Sequence, residues 1–277
     1  MLSLICPGLG HVYDGDARKG LLIFILPFMG YLGLILCLNT RFIVFFLPAF
    51  LAGAIACYVF VIWDSIRVAR RFRNEYFLKR YNRTIIYIGI VGLVFLENTF
   101  APDYIRENHV QAFKIPAGSM EPTLLIGDHI LVDRRPSARD PNRGDLIIFV
   151  YPKDPKKDFV KRIVAVGGEE ITIRDKEVFI NNKPIRETYA IHAEQDVFPS
   201  TKNPRDNFGP VIVPTDSFFV LGDNRDRSLD SRFFGFIEKN KIKGTAKSIY
   251  WSWDRKKKAV RWDRIGMDLT PKSEEMN

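Results

Sequence analysis

Ser119 is the residue whose setting first suggests chemistry. It lies in the stretch "KIPAGSMEPTL", Lys114–Leu124, between Gly118 and Met120, with a proline on either side. Glycine and proline at such short intervals are unusual in a strand or a helix. A serine hydroxyl is a poor nucleophile unless a neighbouring base takes its proton. The first question is therefore which side chain could accept that proton.

Lys161 is one candidate base, and the strand pattern of "DFVKRIVAV" favours it. The period-2 alternation of a strand puts Lys161 in an apolar row on one face. That row also contains Phe159, Ile163 and Ala165, whereas Arg162 lies on the opposite face. An amine with an ordinary pKa near 10.4 is almost fully protonated at neutral pH, and desolvation lowers that pKa. By the strand alone, the alternative is a lysine that reaches water from a half-buried strand.

A second polar stretch, "GDNRDRSLDSRFFG", spans Gly222–Gly235 and begins as a turn. Ser228, Asp230 and Arg232 occupy alternate positions, which line one side of an extended chain. The hydroxyl could orient a neutral lysine, and the Asp/Arg pair could hold the segment. A solvated turn with a surface ion pair is the alternative.

Histidine is the usual base for a serine, and the chain contains His11, His109, His129 and His192. None has a recognisable triad context, but a Ser/His/Asp triad stays open because triads are assembled in space. The histidines and cysteines show no zinc-binding spacing. We therefore expect no metal and no cofactor.

Three apolar runs precede these candidates and predict membrane helices. Leu21–Leu38 has 18 residues without a charge, Phe42–Trp63 has 22, and Ile85–Leu96 has only 12. About 20 helical residues cross a hydrocarbon core of about 30 Å. The third run reaches this length only with its flanks, and an interfacial or buried helix is its alternative. We predict transmembrane helices near 21–38, 42–63 and 84–100 within a membrane anchor, residues 1–101. The first two runs contain no charge, which argues against an ion pathway.

The distribution of charge predicts the orientation. Residues 1–100 contain 10 Lys and Arg against 5 Asp and Glu, and seven of these basic residues fall between the second and third runs. Basic residues beside membrane spans mark the cytoplasmic side, so residues 64–83 are predicted to be a cytoplasmic loop. Three crossings then place the rest of the chain outside the cytoplasm. The net charge of +9 therefore does not indicate nucleic-acid binding.

From residue 102 onward, short apolar runs alternate with Gly, Pro, Asp and Asn. No helical pattern of useful length occurs between Asp103 and Tyr250, so residues 102–269 are predicted to form a mainly antiparallel β domain of sandwich or barrel-like sheets. Asn181 and Asn182 predict a hairpin turn.

Two polar regions interrupt or follow this domain. The region near 187–210 predicts a long loop or a small inserted subdomain, and residues 270–277 predict a disordered tail. Cys6, Cys37 and Cys57 all lie in the predicted anchor. The β domain must therefore be stable without disulfides.

Together these motifs resemble the type I signal peptidases, the membrane-bound Ser/Lys proteases of the S26 family. The resemblance rests on "IPAGSMEPTLLIGDHILV", "RGDLIIFVYP", "DFVKRIVAVGG" and "GDNRDRSLDSRFFG", which follow one another in the family's order. It implies a mostly β catalytic core with a smaller inserted β region. It also implies removal of signal peptides from exported preproteins at the outer face of the bacterial cytoplasmic membrane.

The resemblance assigns roles residue by residue. Ser119 matches the nucleophile and Lys161 the general base. Ser228 matches the hydroxyl that positions the lysine, and Asp230 with Arg232 matches a structural ion pair.

The resemblance also implies the substrate contacts. The residues that fall at pocket positions are Ile115, Pro116, Met120, Leu124 and Val160. Shallow apolar pockets there would accept small side chains at positions −1 and −3, the Ala-X-Ala preference of the family.

The backbone N–H of Ser119 is the expected oxyanion donor, with Gly118 allowing the backbone to approach. Many relatives add a hydroxyl two residues before the nucleophile, but this chain has Ala117 there. The turn Arg143–Asp145 fits a structural role. A predicted third helix and the stretch "CPGLGHVYDGDARKG" also depart from the family pattern.

The expected partners are preprotein signal peptides and the lipid bilayer, with no nucleic acid and no obligate oligomer. Three alternatives stay open: a specialised S26 peptidase with one dedicated substrate, a non-catalytic membrane-anchored binding domain, and a transport or sensor protein.

Overall fold

The computed structural model describes residues 8–13, 16, 18–26, 30, 43–71 and 83–271. The chain divides into two compact units, Met1–Ile105 and Arg106–Asn277. The division falls a few residues beyond the predicted boundary at residue 101.

The first unit is helical where it is described. Its helices are α1 (Leu9–Tyr13), α2 (Ile43–Arg71) and α3 (Thr84–Asn108), and residues 18–26 are also helical. Among the described residues, one helical stretch, Ala49–Val68, is long and apolar enough to cross a membrane. The apolar part of α3, Thr84–Leu96, is shorter.

The predicted anchor is only partly covered. Most of the span predicted near 21–38 and residues 72–82 of the predicted loop lie outside the described residues. The prediction that a loop begins at residue 64 is wrong, because α2 continues to Arg71. Charged residues end a membrane span without ending a helix, since arginine is a good helix former.

Asp64 directly follows the run Phe42–Trp63 that is predicted as the second span, and it lies inside the apolar stretch Ala49–Val68 of α2. His11 Nε2 is 2.9 Å from Asp64 Oδ2, and its Nδ1 is 3.1 Å from Ser65 Oγ. Lys19 also pairs with Asp64. These partners compensate the buried Asp64 carboxylate, since a buried charge is unfavourable unless it is paired.

The second unit consists mainly of β structure, as predicted. Its strands are β1 (Val110–Lys114), β2 (Asp128–Asp133), β3 (Leu146–Val150), β4 (Asp158–Val166), β5 (Glu170–Arg174), β6 (Glu177–Ile180), β7 (Lys183–Pro184), β8 (Phe208–Ile212), β9 (Ser217–Leu221), β10 (Ile237–Glu238), β11 (Ile242–Asp254) and β12 (Ala259–Val260). Short 3₁₀ helices cover Pro136–Arg139, Arg225–Arg227, Lys239–Lys241 and Trp262–Arg264, and α4 covers Ser231–Phe234.

The strands form two antiparallel sheets. The larger has the order β1-β2-β11-β3-β4-β9-β10, with β12 beside β11, and the smaller has the order β7-β6-β5-β8. Asn181 and Asn182 have φ values of 50° and 65° and connect β6 to β7. The predicted hairpin turn is therefore present, because two successive positive φ values suit asparagine.

Three buried apolar clusters form the core of the second unit, and one of them joins the two sheets. Another cluster packs Met120 and Leu124 against strand residues that include Ile130 and Ile249. Both side chains are 0% exposed, so the segment that carries Ser119 is anchored to the larger sheet on its inner side.

Two local expectations need correction or refinement. The stretch Gly222–Gly235 is not extended, because it contains a 3₁₀ helix and α4. Asp230 caps α4 by accepting a hydrogen bond from the Arg232 N–H, a cap position that favours a helix over a strand. Residues 187–207 form a loop, with one isolated bridge between Ile191 and Asn224.

Candidate active site

Strand β4 places Lys161 next to Ser119. It lies between β3 and β9, and Lys161 pairs in register with Ile147. The lysine is 3% exposed, and its Nζ donates a hydrogen bond of 2.7 Å to Ser119 Oγ. The residue predicted as base and the residue predicted as nucleophile are thus in direct contact, although 42 positions separate them in sequence.

The apolar row around Lys161 is shorter than predicted. Phe159 and Ile163 belong to one cluster, but Ala165 packs with Val164 in another. The register of β4 against β9 shifts between Ile163 and Ala165. This β-bulge breaks the period-2 alternation, so the prediction that Ala165 shares the face of Lys161 is wrong.

Burial lowers the pKa of Lys161 from its ordinary value to about 8. The carboxylates of Asp230 and Asp223 oppose the shift, and the Arg232 guanidinium supports it. A lysine with a pKa near 8 is neutral in about a tenth of molecules at pH 7, against less than a thousandth for an ordinary lysine. The amine is therefore suited to accept a proton near neutral pH.

The segment that carries Ser119 follows β1 and turns tightly. The Glu121 N–H donates to Gly118 O over 3.2 Å, and the Leu124 N–H donates to Met120 O over 2.8 Å. A Cβ on Gly118 would lie 2.7 Å from Glu121 Oε1, so a larger residue there would displace the Glu121 carboxylate. Ser119 is half-buried, with its hydroxyl held towards β4.

The segment after β9 packs directly on the carbonyl groups of Gly118 and Ser119. Asn224 Nδ2 donates to Gly118 O over 3.1 Å, and the Asn224 N–H donates to Ser119 O over 3.2 Å. A Cβ on Gly222 would overlap Ser119 O. The predicted Gly/Asp/Asn turn thus forms part of the wall behind Ser119.

A buried ion pair joins this segment to β4. Arg162 Nε and Nη2 lie 2.9 and 2.7 Å from the two oxygens of Asp223, and both side chains are almost fully buried. Thr123 Oγ1 donates to the same carboxylate over 2.6 Å. No local sequence pattern predicts a role in the site for Arg162, Asp223 and Asn224, because only the fold brings these residues together.

A profile of the family described as signal peptidase, peptidase S26, matches residues 85–251. This match covers more than half of the chain. The chain belongs to this family.

Several members of the family are similar over most of their length. Signal peptidase I of Aquifex aeolicus is 35% identical over 201 residues, with 54% of this chain and 78% of that protein covered. Signal peptidase I of Pseudomonas fluorescens is 29% identical, with 72% and 82% covered. A crystal structure of a signal peptidase I from Enterococcus faecalis is 32% identical and covers 38% of this chain and 95% of its own. Its TM-score of 0.32 is too low for an argument on fold.

The remaining residues that match family positions are placed as follows. Asp230 and Arg232 form a bidentate pair with both distances at 2.8 Å. Arg232 also donates to the carbonyls of Arg205 and Arg225 over 2.7 Å each. The pair therefore ties the inserted loop to the segment behind Ser119.

Ser228 does not hydrogen-bond to Lys161 in this structure. Its hydroxyl is buried and has no hydrogen-bond partner among the described residues. A Cβ on Gly222 would overlap this hydroxyl. The assigned role of Ser228 therefore stays a prediction.

The five predicted pocket residues differ in accessibility. Ile115, Met120 and Leu124 are at most 3% exposed and belong to the core. Pro116 is exposed, and Val160 is half-buried. Pro116 and Val160 are therefore the two that a bound chain can reach directly in this state.

The remaining predictions concern the turn Arg143–Asp145, the histidines and metal binding. The turn Arg143–Asp145 is held by Arg162, whose Nη1 donates to Gly144 O over 2.9 Å. His129 contacts Tyr250, and His192 faces Asp226. Across the described ranges, no three His, Cys, Asp or Glu side chains are grouped so as to hold a metal ion.

Proposed function

We propose that this chain is a membrane-anchored serine endopeptidase that removes signal peptides from exported preproteins with a Ser119/Lys161 dyad. The observation that carries the proposal is the 2.7 Å hydrogen bond from Lys161 Nζ to Ser119 Oγ, made by a lysine whose pKa is lowered by burial. Membership of the S26 family and the name signal peptidase I of its relatives support the substrate class.

The proposed reaction is acyl transfer with Lys161 as the only proton carrier. Neutral Lys161 takes the proton of Ser119 as Oγ bonds to the scissile carbonyl carbon. The same proton passes to the leaving nitrogen when the C–N bond breaks. Water then attacks the acyl-enzyme, Lys161 takes its proton, and that proton returns to Oγ when the ester bond breaks.

The developing oxyanion needs a donor, and the Ser119 N–H is the proposed one. Among the described residues this N–H donates no hydrogen bond, so it is available to substrate. The second donor that a hydroxyl at position 117 would supply is absent because the residue is Ala117.

The proposed specificity is for small residues at positions −1 and −3. Pro116 and Val160 would line the surface beside Ser119, with Ile115 and Met120 packed beneath them. A pocket whose base is filled by these buried side chains would be shallow, and a shallow pocket favours alanine over larger side chains.

We further propose that the anchor crosses the bacterial cytoplasmic membrane three times, with the β domain outside. Support comes from the apolar stretch Ala49–Val68, the shorter Thr84–Leu96 and the basic residues that follow the first of these. Preproteins and the lipid bilayer are the proposed partners.

A cleavage assay tests the proposal. Full-length protein in detergent is expected to cut a preprotein after a small residue. Ser119→Ala and Lys161→Ala are each expected to lower kcat by about 10³-fold or more, because each removes one half of the dyad. N-terminal sequencing of the product locates the cut.

Two matched variants control for the substitutions themselves. Ser137→Ala and Lys157→Ala change exposed residues outside the site and are expected to leave cleavage unchanged. Full cleavage by Ser119→Ala or Lys161→Ala would contradict the proposed Ser119/Lys161 dyad. If the unmodified protein cleaves no preprotein, the alternative of a non-catalytic membrane-anchored binding domain is favoured.

A further inference from the structure

We propose that Asn224 is a positioning residue that orients the Gly118–Ser119 peptide, the peptide whose N–H receives the oxyanion. The proposal rests on the peptidase function proposed above. It starts from the two hydrogen bonds that Asn224 makes, one to each carbonyl next to the nucleophile: Nδ2 to Gly118 O at 3.1 Å and N–H to Ser119 O at 3.2 Å.

The direction of the Ser119 N–H follows from the first of these bonds. Gly118–Ser119 is a trans peptide, in which C=O and N–H point in opposite directions. When Asn224 Nδ2 holds Gly118 O on one side, the Ser119 N–H must point to the other side. That N–H has no acceptor among the described residues, as expected of a donor kept for substrate.

The Glu121 N–H also donates to Gly118 O, over 3.2 Å, but the two bonds differ in what they fix. The Glu121 bond closes a turn within the segment that contains Ser119, so this bond moves together with the segment. The Asn224 bond joins that segment to a different part of the chain. Among the described residues, the Asn224 bond is the one hydrogen bond to Gly118 O that comes from outside the Ser119 segment, so it fixes this peptide relative to the segment after β9.

Asn224 is itself held firmly enough to serve as a reference point. Its side chain is 3% exposed. The preceding residue, Asp223, is locked by Arg162 and Thr123. On the other side, the Ile191 N–H donates to Asp223 O over 2.8 Å, and the Arg225 N–H donates to Ile191 O over 3.0 Å.

The amide group of Asn224 supplies a hydrogen-bond donor at this buried position. Its Oδ1 is buried and has no hydrogen-bond partner in the described part of the chain, so the side chain is oriented by its donor end alone. A buried acceptor without a partner is unfavourable. An apolar residue would avoid this cost but could not hold Gly118 O.

The test measures kcat and KM of full-length Asn224→Ala and Asn224→Leu on the same preprotein. We expect kcat to fall about 10- to 100-fold with KM within about twofold, because a misdirected oxyanion donor affects the transition state and not the bound substrate. Asn224→Leu nearly keeps the side-chain volume and adds no buried charge, so it serves as the variant that lacks the donor without leaving a cavity.

A peptide aldehyde ending in alanine gives a second readout. Addition of the Ser119 O–H across its C=O bond forms a hemiacetal whose oxygen occupies the oxyanion position. The inhibition constant for this aldehyde is expected to rise by the same factor by which kcat/KM falls. A purely structural role for Asn224 would not link the two quantities.

Asn207→Ala is the matched control. Asn207 Nδ2 also donates to a main-chain carbonyl, Phe198 O at 3.0 Å, but it lies in the inserted loop, so its loss should leave kcat and the inhibition constant unchanged. Unchanged kcat in both Asn224 variants, or a fall in kcat with an unchanged inhibition constant, overturns the inference. If the unmodified protein cuts no preprotein, the proposed function fails first and this inference with it.

Discussion

Lys161 is the side chain on which the proposed chemistry depends, and its surroundings explain its state. It is 3% exposed, and its Nζ lies 5.5 Å from the centre of the Phe159 ring. Burial lowers its pKa to about 8 although Asp230 and Asp223 lie near enough to oppose the shift. Desolvation is therefore the dominant effect, and the lysine is kept reactive by its position in the β domain.

This pKa predicts the pH dependence of cleavage. The neutral amine is the proposed base, so kcat/KM should rise with pH, reach half its plateau near pH 8 and stay flat above about pH 9. The direction follows because raising the pH through the pKa removes the proton that blocks the base.

Initial rates between pH 6 and 10, with Ser119→Ala as baseline, measure this profile. A midpoint near 6.5 would point to a histidine base instead. A profile without any rise would contradict a lysine base altogether.

At the level of elements, two adjacent residues of β4 have different roles. Lys161 is the proposed base, and Arg162 holds the segment after β9. Lys161 faces Ser119, and Arg162 forms the buried bidentate pair with Asp223. Because neighbours on a strand point to opposite faces, one strand fixes two chain segments at once. Thr123 joins the nucleophile segment to the same carboxylate.

The buried pair predicts the stability of this arrangement. Arg162→Met would leave the Asp223 carboxylate buried without its cation, and the free energy of unfolding should fall by about 3 to 5 kcal/mol. The double variant Arg162→Met/Asp223→Leu should recover part of the loss, because it contains no lone buried charge.

Thermal unfolding of the full chain in detergent, followed by circular dichroism, measures both effects. Lys157→Ala, which breaks an exposed pair with Asp154, should change the unfolding temperature little and serves as the control. Equal losses in the Arg162→Met and Lys157→Ala variants would show that burial of the Arg162–Asp223 pair is unimportant.

At the level of the whole molecule, the chain combines a helical unit with a β unit, Met1–Ile105 and Arg106–Asn277. Large apolar side chains on the stretch Ala49–Val68 are exposed, among them Leu51, Ile55 and Val59. A helix with this surface is suited to a bilayer. The basic residues that follow it support the proposed orientation.

Cysteine labelling tests that orientation. In a background with the three natural cysteines replaced by serine, a membrane-impermeant maleimide should label Ser137→Cys in intact cells and leave Arg70→Cys unlabelled. Disruption of the membrane should expose Arg70→Cys. Labelling of Arg70→Cys in intact cells would overturn the orientation.

The pairing of Ser119 with Lys161 came from the family resemblance and not from the strand pattern alone. The mainly antiparallel β domain, the hairpin turn at Asn181–Asn182 and the apolar row around Lys161 are predictions from the sequence itself. Each depends on local patterns: period-2 alternation, positive φ at asparagine, and glycine and proline at turns. Where a local pattern is interrupted, as by the bulge between Ile163 and Ala165 or the cap at Asp230, the sequence-based prediction was wrong.

The tertiary structure alone decided which distant residues support the site. Asp223 and Asn224 look like an ordinary turn in sequence, yet they hold Arg162 and the Gly118 and Ser119 carbonyls. Strand alternation shows which face a residue occupies but not which segment covers that face. The covering segment is set by sheet order and by the packing of Met120 and Leu124, and these depend on contacts between residues far apart in the chain.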